Sequence, residues 1–341
     1  MKPRLEIKFP LRRQFAFLFG RPYQGQTNEY LFNHARSGLV VALKALGLPE
    51  KSKVGVMAYN CHTVFNAIAQ VGLIPVFIDV TDELLLDITD LNRKSEGLSA
   101  LVVTNLFGIR NDIVSIRSSF PKLPIIEDCA HAYGQQEFNG DFVVFSIGQG
   151  KFPSIGDGGV LLINNIAYAE TVERLFRTIP DYRLYESVCL FFRLLLKSVL
   201  YNPIVYSSIT RSFKMKRRVS SGVGGIDLKR MNRGIRAIYE IERKSFRERM
   251  EERIKNAEYI SGSVRAFSEG CSVLIGENAF MLVAHPSNRN ELKEWFMADG
   301  IETDTHFSHC IDWAHDFGYI DGSCPNTEHL IDSLLMIPTY A

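Results

Sequence analysis

The sequence predicts an α/β protein with a mostly parallel central sheet covered by helices and a smaller α+β domain at the C-terminal end. Short apolar runs, rich in Val, Ile and Leu, occur at residues 54–58, 74–79, 100–104, 124–127, 142–146 and 160–163. Such runs are typical of strands buried on both faces of a sheet. Helix-like stretches lie between them, for example at residues 63–71 and 109–120. This alternation indicates a βαβ sheet, whose ligands bind beyond the carboxyl ends of the strands.

The segment from residue 191 to 200 is strongly apolar and is expected to form a helix. Arg183, Glu186, Arg193 and Lys197 fall on one narrow polar stripe of that helix. These charges, and Pro203 after the segment, argue against a membrane span. The segment fits a buried helix, a dimer contact or an interfacial helix that lies on a membrane.

A basic cluster follows this helix and bears on the same question. It consists of Arg211, Lys214, Lys216, Arg217 and Arg218. A solvated loop and a contact with an anionic membrane surface both explain such a cluster. A peripheral membrane contact through residues 188–218 is therefore one expectation for this part of the chain.

The C-terminal third predicts a second domain. Residues 235–260 suggest one long charged helix, with Glu240–Lys244 and Glu251–Lys255 as favourable i,i+4 pairs. A strand-like run at 280–284, a helical stretch at 289–298 and an extended piece from Gly300 follow. We predict a large domain at residues 1–235, with an apolar helical insertion at about 180–218, and a small domain at residues 236–341.

Composition places the chain among folded globular proteins. It has 341 residues, 46% of them hydrophobic and 23% charged, and a net charge of +1, which gives no reason to expect a nucleic-acid partner. The six cysteines are scattered without a CxxC pair, as expected for reduced thiols rather than disulfides or a zinc site. No secretory signal is evident in the N-terminal residues, so a cytoplasmic location is expected.

Three side chains with complementary chemistry follow predicted strands. Asp128 and His131 come after the run at 124–127, and Lys151 comes after the run at 142–146, just before a glycine-rich turn. A buried lysine attacks a carbonyl as the free amine, and a carboxylate beside a pyridine nitrogen keeps that nitrogen protonated. The set suits pyridoxal phosphate, with Lys151 as the amine, Asp128 at the ring nitrogen and His131 near the ring.

The phosphate of this cofactor requires backbone N–H groups and hydroxyls, ideally at a helix N-terminus. Ser37 and Gly38 open a helical apolar pattern, and Ser146 lies five residues before Lys151. Each residue alone has an ordinary explanation, as a helix start, a helix cap, a surface lysine or a structural histidine. Their ordered combination is what indicates a cofactor site.

Other kinds of site have weaker support in the sequence. We find no G-x-x-x-x-G-K-[ST] loop, no G-x-G-x-x-G after the first strand and no G-x-S-x-G elbow. His306 and His309 lack an acidic or thiolate partner of convincing spacing, so no metal site is expected.

With these motifs in place, the chain resembles the DegT-type family of pyridoxal-phosphate enzymes, the sugar aminotransferases of aspartate-aminotransferase-like fold. The family pattern is E-D-x-A-[HQ], then F-S with a lysine five residues after the serine, then G-[ED]-G-G. The corresponding segments here are Ile126-Glu127-Asp128-Cys129-Ala130-His131-Ala132 and the run from Phe145 through Lys151 to Gly159. The resemblance implies PLP fold type I.

The resemblance also implies roles for individual residues. Lys151 would be the Schiff-base lysine and proton carrier, Asp128 would pair with the pyridine nitrogen, and His131 would lie beside the cofactor. Ser146, with the amides of Gly38 and Leu39, would hold the phosphate.

Family members act on nucleotide-linked keto sugars, take the amino group from glutamate or glutamine, and work as homodimers with shared active sites. The resemblance therefore implies a transferase of amino groups in the biosynthesis of a polysaccharide or another amino-sugar product. Arg230 and His306 are the expected substrate contacts.

Several positions depart from the family pattern. Leu39 stands where the family commonly has a threonine, which removes a hydroxyl from the phosphate site. Cys61 aligns with the aromatic residue that stacks on the ring, so His62 is the expected stacking group. Leu228 replaces an asparagine that reaches the partner subunit's phosphate.

Two alternatives to an aminotransferase stay open at this point. One is a sugar dehydratase of the same family, against which Lys151 argues, because those enzymes lack the Schiff-base lysine. The other is a non-catalytic or regulatory homologue that contacts a membrane through residues 188–218. Leu39 and Leu228 favour this alternative, and the Lys151–Asp128–Ser146 set opposes it.

Overall fold

A seven-stranded sheet forms the centre of the protein in the computed structural model, which describes residues 7–134, 137–212 and 224–340. Its strand order is β1-β7-β6-β5-β4-β2-β3. The strands are β1 Glu29–Phe32, β2 Lys53–Met57, β3 Ile74–Ile78, β4 Leu98–Thr104, β5 Ile125–Cys129, β6 Phe142–Ser146 and β7 Gly159–Ile163. Every residue of β5 and β6 is buried, which explains their continuous apolar sequence.

The five strands β3, β2, β4, β5 and β6 run parallel, and the predicted, mostly parallel sheet is confirmed. The β7 strand pairs antiparallel with β6, and β1 pairs antiparallel with β7 at the edge. The short β1 was not predicted, because four residues carry too weak a periodicity to be recognised.

Helices cover the sheet and make up much of the rest of the described chain. They are α1 Leu11–Phe19, α2 Ala35–Ala45, α3 His62–Gln70, α4 Ile88–Lys94, α5 Ile113–Ser119, α6 Ala169–Arg177, α7 Leu184–Leu200, α8 Pro203–Ser212, α9 Arg233–Glu242, α10 Phe246–Phe267, α11 Arg289–Ala298, α12 Cys310–His315 and α13 Pro325–Ser333. The prediction at 289–298 coincides with α11.

Two predicted helices differ from the structure. The stretch at 109–120 becomes helical only at Ile113, because the Asp112 side chain caps the helix by accepting the Ser115 N–H. The single helix expected at 235–260 is two helices, α9 and α10, separated by a 3-10 turn at Arg243–Ser245. At this break Phe246 packs against the ring of Phe152, with 4.9 Å between ring centroids.

A second sheet has the order β10-β9-β8 and is antiparallel throughout. Its strands are β8 Ser272–Ile275, β9 Met281–His285 and β10 Leu335–Pro338. A separate apolar core joins this sheet to α10 and α11 through residues such as Leu282, Val264 and Phe296. This matches the α+β texture of the C-terminal third, and the domain boundary near residue 235 stays a prediction.

The apolar segment at 191–200 belongs to α7, whose Leu190 and Leu194 are buried while much of its other apolar surface is exposed. Within the described residues, no helix is both long enough and apolar enough to cross a membrane. Most of the basic cluster that follows, Lys214, Lys216, Arg217 and Arg218, lies outside the described residues, as does the side chain of Arg211.

Candidate active site

A cavity of about 540 Å³ opens at the carboxyl ends of β4, β5 and β6. Parallel strands end together at one edge of a sheet, so side chains at these ends converge. The cavity is lined by seven of the predicted site residues: Leu39, Cys61, His62, Asp128, His131, Ser146 and Lys151. The structure therefore brings together most of the set that the sequence indicated.

Lys151 lies in the turn between β6 and β7, where its Nζ is 2.6 Å from the Nε2 of His131. The backbone N–H of Phe107 donates to the other ring nitrogen of His131, Nδ1, at 3.3 Å. An imidazole whose Nδ1 accepts is neutral and carries its proton on Nε2. His131 therefore donates to Lys151, which accepts as a free amine.

Burial supports the same protonation states. It holds the pKa of Lys151 below its ordinary value, although Cys61 and Asp128 act in the opposite direction. Burial also places the pKa of His131 well below its ordinary value, and any positive charge on Lys151 would lower it further. The Phe280 ring stacks on the imidazole at 4.7 Å and fixes its orientation. With His131 neutral, Lys151 presents a nucleophilic amine to the cavity.

This geometry predicts a pH effect for His131→Phe. The free fraction of an amine rises as pH rises through its pKa, so a lowered pKa makes Lys151 reactive at lower pH. Loss of the Nε2–H donor removes a hydrogen bond that favours the neutral amine, and the pKa of Lys151 rises. The pH midpoint for covalent incorporation of pyridoxal phosphate, followed by visible absorbance, should move upward.

The matched control is His309→Phe, since His309 is half exposed and pairs with Asp312 at 3.0 Å. Its midpoint should equal that of the wild type. An unchanged midpoint in His131→Phe would show that burial alone sets the state of Lys151.

Asp128 is buried near the carboxyl end of β5, beside the cavity, and is the register partner of Thr104 on β4. Burial raises the pKa of this carboxyl, while the N–H of Ala130, donating at 3.0 Å, and Lys151 partly offset that effect. The negative charge of an ionised carboxylate beside a basic ring nitrogen favours the protonated form of that nitrogen.

The glycine-rich turn lets two helices approach the cavity. A Cβ at Gly159 would collide with the backbone nitrogen of Ala35, at the start of α2. Gly156 has φ of +112°, and a Cβ there would collide with Leu194 of α7. Between these glycines, Asp157 accepts from His34 at 2.8 Å and from Arg193 at 3.3 Å. Asp157 therefore ties α2 and α7 to the same wall of the cavity.

The N-terminus of α2 faces the cavity with His34, Ala35 and Arg36, and the helix begins two residues earlier than predicted. The first N–H groups of a helix have no acceptor within it, so this end suits a phosphate. Arg36 lines the cavity and makes no hydrogen bond or ion pair within the described part of the chain. The chemistry of these donors fits the phosphate of the expected cofactor.

The predicted phosphate contact of Gly38 is not supported by its position. Gly38 is absent from the cavity wall and is the fourth residue of α2, where a Cβ would come within 3.3 Å of the Leu161 side chain. Its small size serves helix-to-sheet packing. Ser37 is likewise engaged, since its hydroxyl donates to Asn33 at 2.7 Å.

Cys61 and His62 both lie at the start of α3 and line the cavity. The His62 ring packs edge-on against Trp313, 4.9 Å away. Burial would raise the pKa of the Cys61 thiol, but His62 and the Thr63 hydroxyl outweigh it, and the pKa is lowered to about 7. The stacking role of His62 stays a prediction.

The two predicted substrate contacts do not reach the cavity wall. Arg230 donates to the carbonyl oxygens of Phe176 and Arg177, and its guanidinium stacks on the Phe176 ring. His306 lies behind His131, with 5.4 Å between ring centroids, and contacts Asp304 at 3.2 Å. Among the described residues no group of three or more His, Cys, Asp or Glu is arranged to hold a metal ion.

Two cations that line this cavity, Arg193 and Lys197, were not among the predicted site residues. Arg193 and Lys197 project from α7, and Lys197 Nζ contacts Gln149 at 2.5 Å. Burial and the neighbouring Arg193 lower the pKa of Lys197. The polar stripe of α7 was the available signal, but its partner Asp157 is 36 residues away in sequence.

Comparison with known proteins places this site in a family. The model of the DegT/DnrJ/EryC1/StrS aminotransferase family matches residues 10–341. Over 164 residues the chain is 27% identical to the dTDP-3-amino-3,4,6-trideoxy-alpha-D-glucose transaminase of Micromonospora megalomicea, covering 45% of this chain and 44% of that protein. Over 138 residues it is 31% identical to the GDP-perosamine synthase of Escherichia coli O157:H7, covering 37% and 38%.

These alignments span less than half the length of the curated relatives. The fold likeness extends further: the sugar aminotransferase CalS13 of Micromonospora echinospora superposes with a TM-score of 0.72 at 19% identity, covering 100% of this chain and 95% of that one. The expected fold type I architecture is thereby confirmed. Because the family model extends over nearly the entire sequence, the chain belongs to the DegT/DnrJ/EryC1/StrS aminotransferase family.

Proposed function

We propose that this protein is a pyridoxal-phosphate-dependent aminotransferase that moves an amino group from glutamate or glutamine to a nucleotide-linked keto sugar. The observation that carries the proposal is the Lys151–His131–Asp128 group, with His131 and Asp128 buried, at one end of a cavity lined by cations. Members of the family depend on pyridoxal phosphate, and two relatives are named for dTDP and GDP sugars.

In this proposal the position of each residue in the cavity determines its role. The start of α2, with Arg36, holds the cofactor phosphate, and Ser146 adds a hydroxyl. Asp128 keeps the ring nitrogen protonated, and His131 orients the amine of Lys151. When bound, pyridoxal phosphate would supply an aldehyde and an electron-withdrawing ring. The amine of Lys151 would take up and return the proton of the donor's α-carbon.

The cation excess of the cavity supports an anionic acceptor. Arg193 and Lys197 lie on the same wall, and the nearby carboxylate of Asp157 is already shared by His34 and Arg193. A nucleotide diphosphate brings negative charges that such a wall attracts. We further propose a cytoplasmic homodimer, as the family resemblance implies.

The test is an assay of the purified protein with a panel of nucleotide keto sugars and glutamate or glutamine. An amino sugar and a keto acid should form in equal amounts. Keto-acid release without an amino sugar, or no turnover with any acceptor, would contradict the proposal. Loss of a sugar hydroxyl without amination would favour the dehydratase alternative.

Arg193→Gln should separate acceptor binding from chemistry. A charge-assisted hydrogen bond contributes about 1.5–3 kcal/mol, so the KM for the nucleotide sugar should rise about tenfold or more with kcat nearly unchanged. Arg174→Gln, at an exposed position on α6, is the matched control and should leave both constants at wild-type values. An unchanged KM in Arg193→Gln would remove Arg193 from the acceptor site.

A further inference from the structure

A row of hydrogen-bonded side chains crosses the carboxyl edge of the central sheet beside the cavity. Thr104 ends β4 and is the register partner of Asp128 on β5. Asn60 follows β2, which is the neighbour of β4 on its other side. Asn60, Thr104 and Asp128 are 1%, 3% and 6% exposed, and all three line the cavity. Because buried polar groups require hydrogen-bond partners, the bonds within this row fix how each group is oriented.

The direction of each hydrogen bond in the row follows from the backbone. The Cys61 N–H donates to Oδ1 of Asn60 at 2.8 Å, which identifies that atom as the amide oxygen. Nδ2 of Asn60 then donates to Oγ1 of Thr104 at 2.7 Å. A threonine hydroxyl has a single hydrogen, and with Asn60 donating to its oxygen, that hydrogen is directed to the carboxylate of Asp128.

This last hydrogen bond favours the ionised form of Asp128. Burial raises the pKa of the carboxyl, while the Ala130 N–H, a positive charge on Lys151 and the Thr104 hydroxyl act in the opposite direction. When Lys151 is a free amine, as its contact with His131 indicates, the two hydrogen bonds are what stabilise the carboxylate. The ionised carboxylate is the form that favours a protonated ring nitrogen beside it.

We propose that Asn60 and Thr104 are positioning residues, which keep the Asp128 carboxylate ionised and oriented toward the ring nitrogen of pyridoxal phosphate. This inference rests on the proposed function. Asn60 orients the hydroxyl of Thr104, and that hydroxyl stabilises the carboxylate. A carboxylate accepts about four hydrogen bonds, and the Ala130 N–H and Thr104 each occupy one of these sites. The same carboxylate can therefore also accept from the ring nitrogen.

The experiment measures the protonation of the ring nitrogen by nitrogen NMR of the full chain, loaded with pyridoxal phosphate that is isotope-labelled at that atom. Thr104→Val keeps the shape of the side chain and removes its hydroxyl. The ratio of protonated to unprotonated ring nitrogen should fall about tenfold, the effect of losing one hydrogen bond to a charged group. The kcat should fall in parallel while the KM for the nucleotide sugar stays unchanged. Thr104→Ser keeps the hydroxyl and should restore both values.

Thr327→Val is the matched control. The Thr327 hydroxyl donates to the carboxylate of Asp79 at 2.7 Å, both residues are buried, and neither is among the residues that line the cavity. This variant makes the same chemical change at a distance from the site. It should lower the free energy of unfolding, whereas its ring-nitrogen protonation and its kcat should equal those of the wild type.

A double-mutant cycle tests the order of the row. Asn60→Ala removes the donor that orients the Thr104 hydroxyl, so it should lower the same ratio by a smaller factor than Thr104→Val does. Because Asn60 acts through Thr104, the two changes combined should lower the ratio no further than Thr104→Val alone. Thr104→Ala also removes the hydroxyl, and it replaces Thr104→Val if circular dichroism shows that the valine variant does not fold.

Three results would overturn the inference: wild-type protonation of the ring nitrogen in Thr104→Val, no recovery in Thr104→Ser, or an equal loss of protonation in Thr327→Val. All three leave the proposed function standing, because the wild type would still bind the cofactor and turn over. A wild-type chain that binds no pyridoxal phosphate would instead contradict the proposed function, and this inference with it.

Discussion

Lys151→Ala should abolish amino transfer, with a loss of at least about 10³-fold in kcat. The variant removes both the amine that bonds to the cofactor and the group that moves the proton. Among the described residues Lys197 of α7 also lines the cavity, but it is held by Gln149 and does not share the contacts of Lys151. The measurement is single-turnover formation of keto acid from glutamate.

Lys197→Ala is the matched control, since it deletes the second lysine that lines the same cavity. We expect it to keep the visible absorbance of the covalently held cofactor and to lose affinity for the anionic acceptor. A Lys151→Ala variant within about tenfold of wild-type kcat would exclude Lys151 as the proton carrier.

Asp128→Asn should lower kcat by roughly 10²-fold or more, the usual effect of removing one preorganised charge from an active site. The amide keeps the size of the side chain and its bond to the Ala130 N–H, but it no longer holds a proton on the ring nitrogen. Steady-state kinetics should show the loss in kcat, and absorbance should show that the cofactor still binds.

Glu127→Gln provides the comparison for this prediction. Glu127 is the neighbouring buried carboxylate, but it accepts from the N–H groups of Asn139 and Gly140 and does not line the cavity. Its loss should lower the free energy of unfolding while the folded enzyme keeps its kcat. Equal kcat values for Asp128→Asn and the wild type would refute the role of Asp128.

The central sheet could be predicted because its strands are buried on both faces and therefore read as continuous apolar runs. The site residues at the sheet edge could be predicted for the same reason. Asp128 and Ser146 lie near the carboxyl ends of adjacent parallel strands, and Lys151 lies in the turn after the second of them. Local sequence was sufficient to find groups that the sheet edge brings together.

Residues whose position depends on distant contacts could not be predicted in this way. Ser37 and Gly38 look like a phosphate-binding helix start. In the structure the Ser37 hydroxyl donates to Asn33, and the small Gly38 packs on Leu161. The helix begins at Ala35, preceded by His34, whose side chain makes no cap bond and so leaves no capping signal in the sequence. Arg193 reaches the cavity only through the packing of α7 on the glycine-rich turn.

Borohydride reduction of the protein loaded with pyridoxal phosphate, followed by peptide mass spectrometry, tests the central claim most directly. Reduction makes the bond between cofactor and lysine permanent. We expect one cofactor per chain, on the peptide that contains Lys151, and no labelling of that peptide in His131→Phe at a pH below its raised midpoint. Labelling of a different lysine, or no labelled peptide in a protein that binds the cofactor, would contradict the assignment of Lys151.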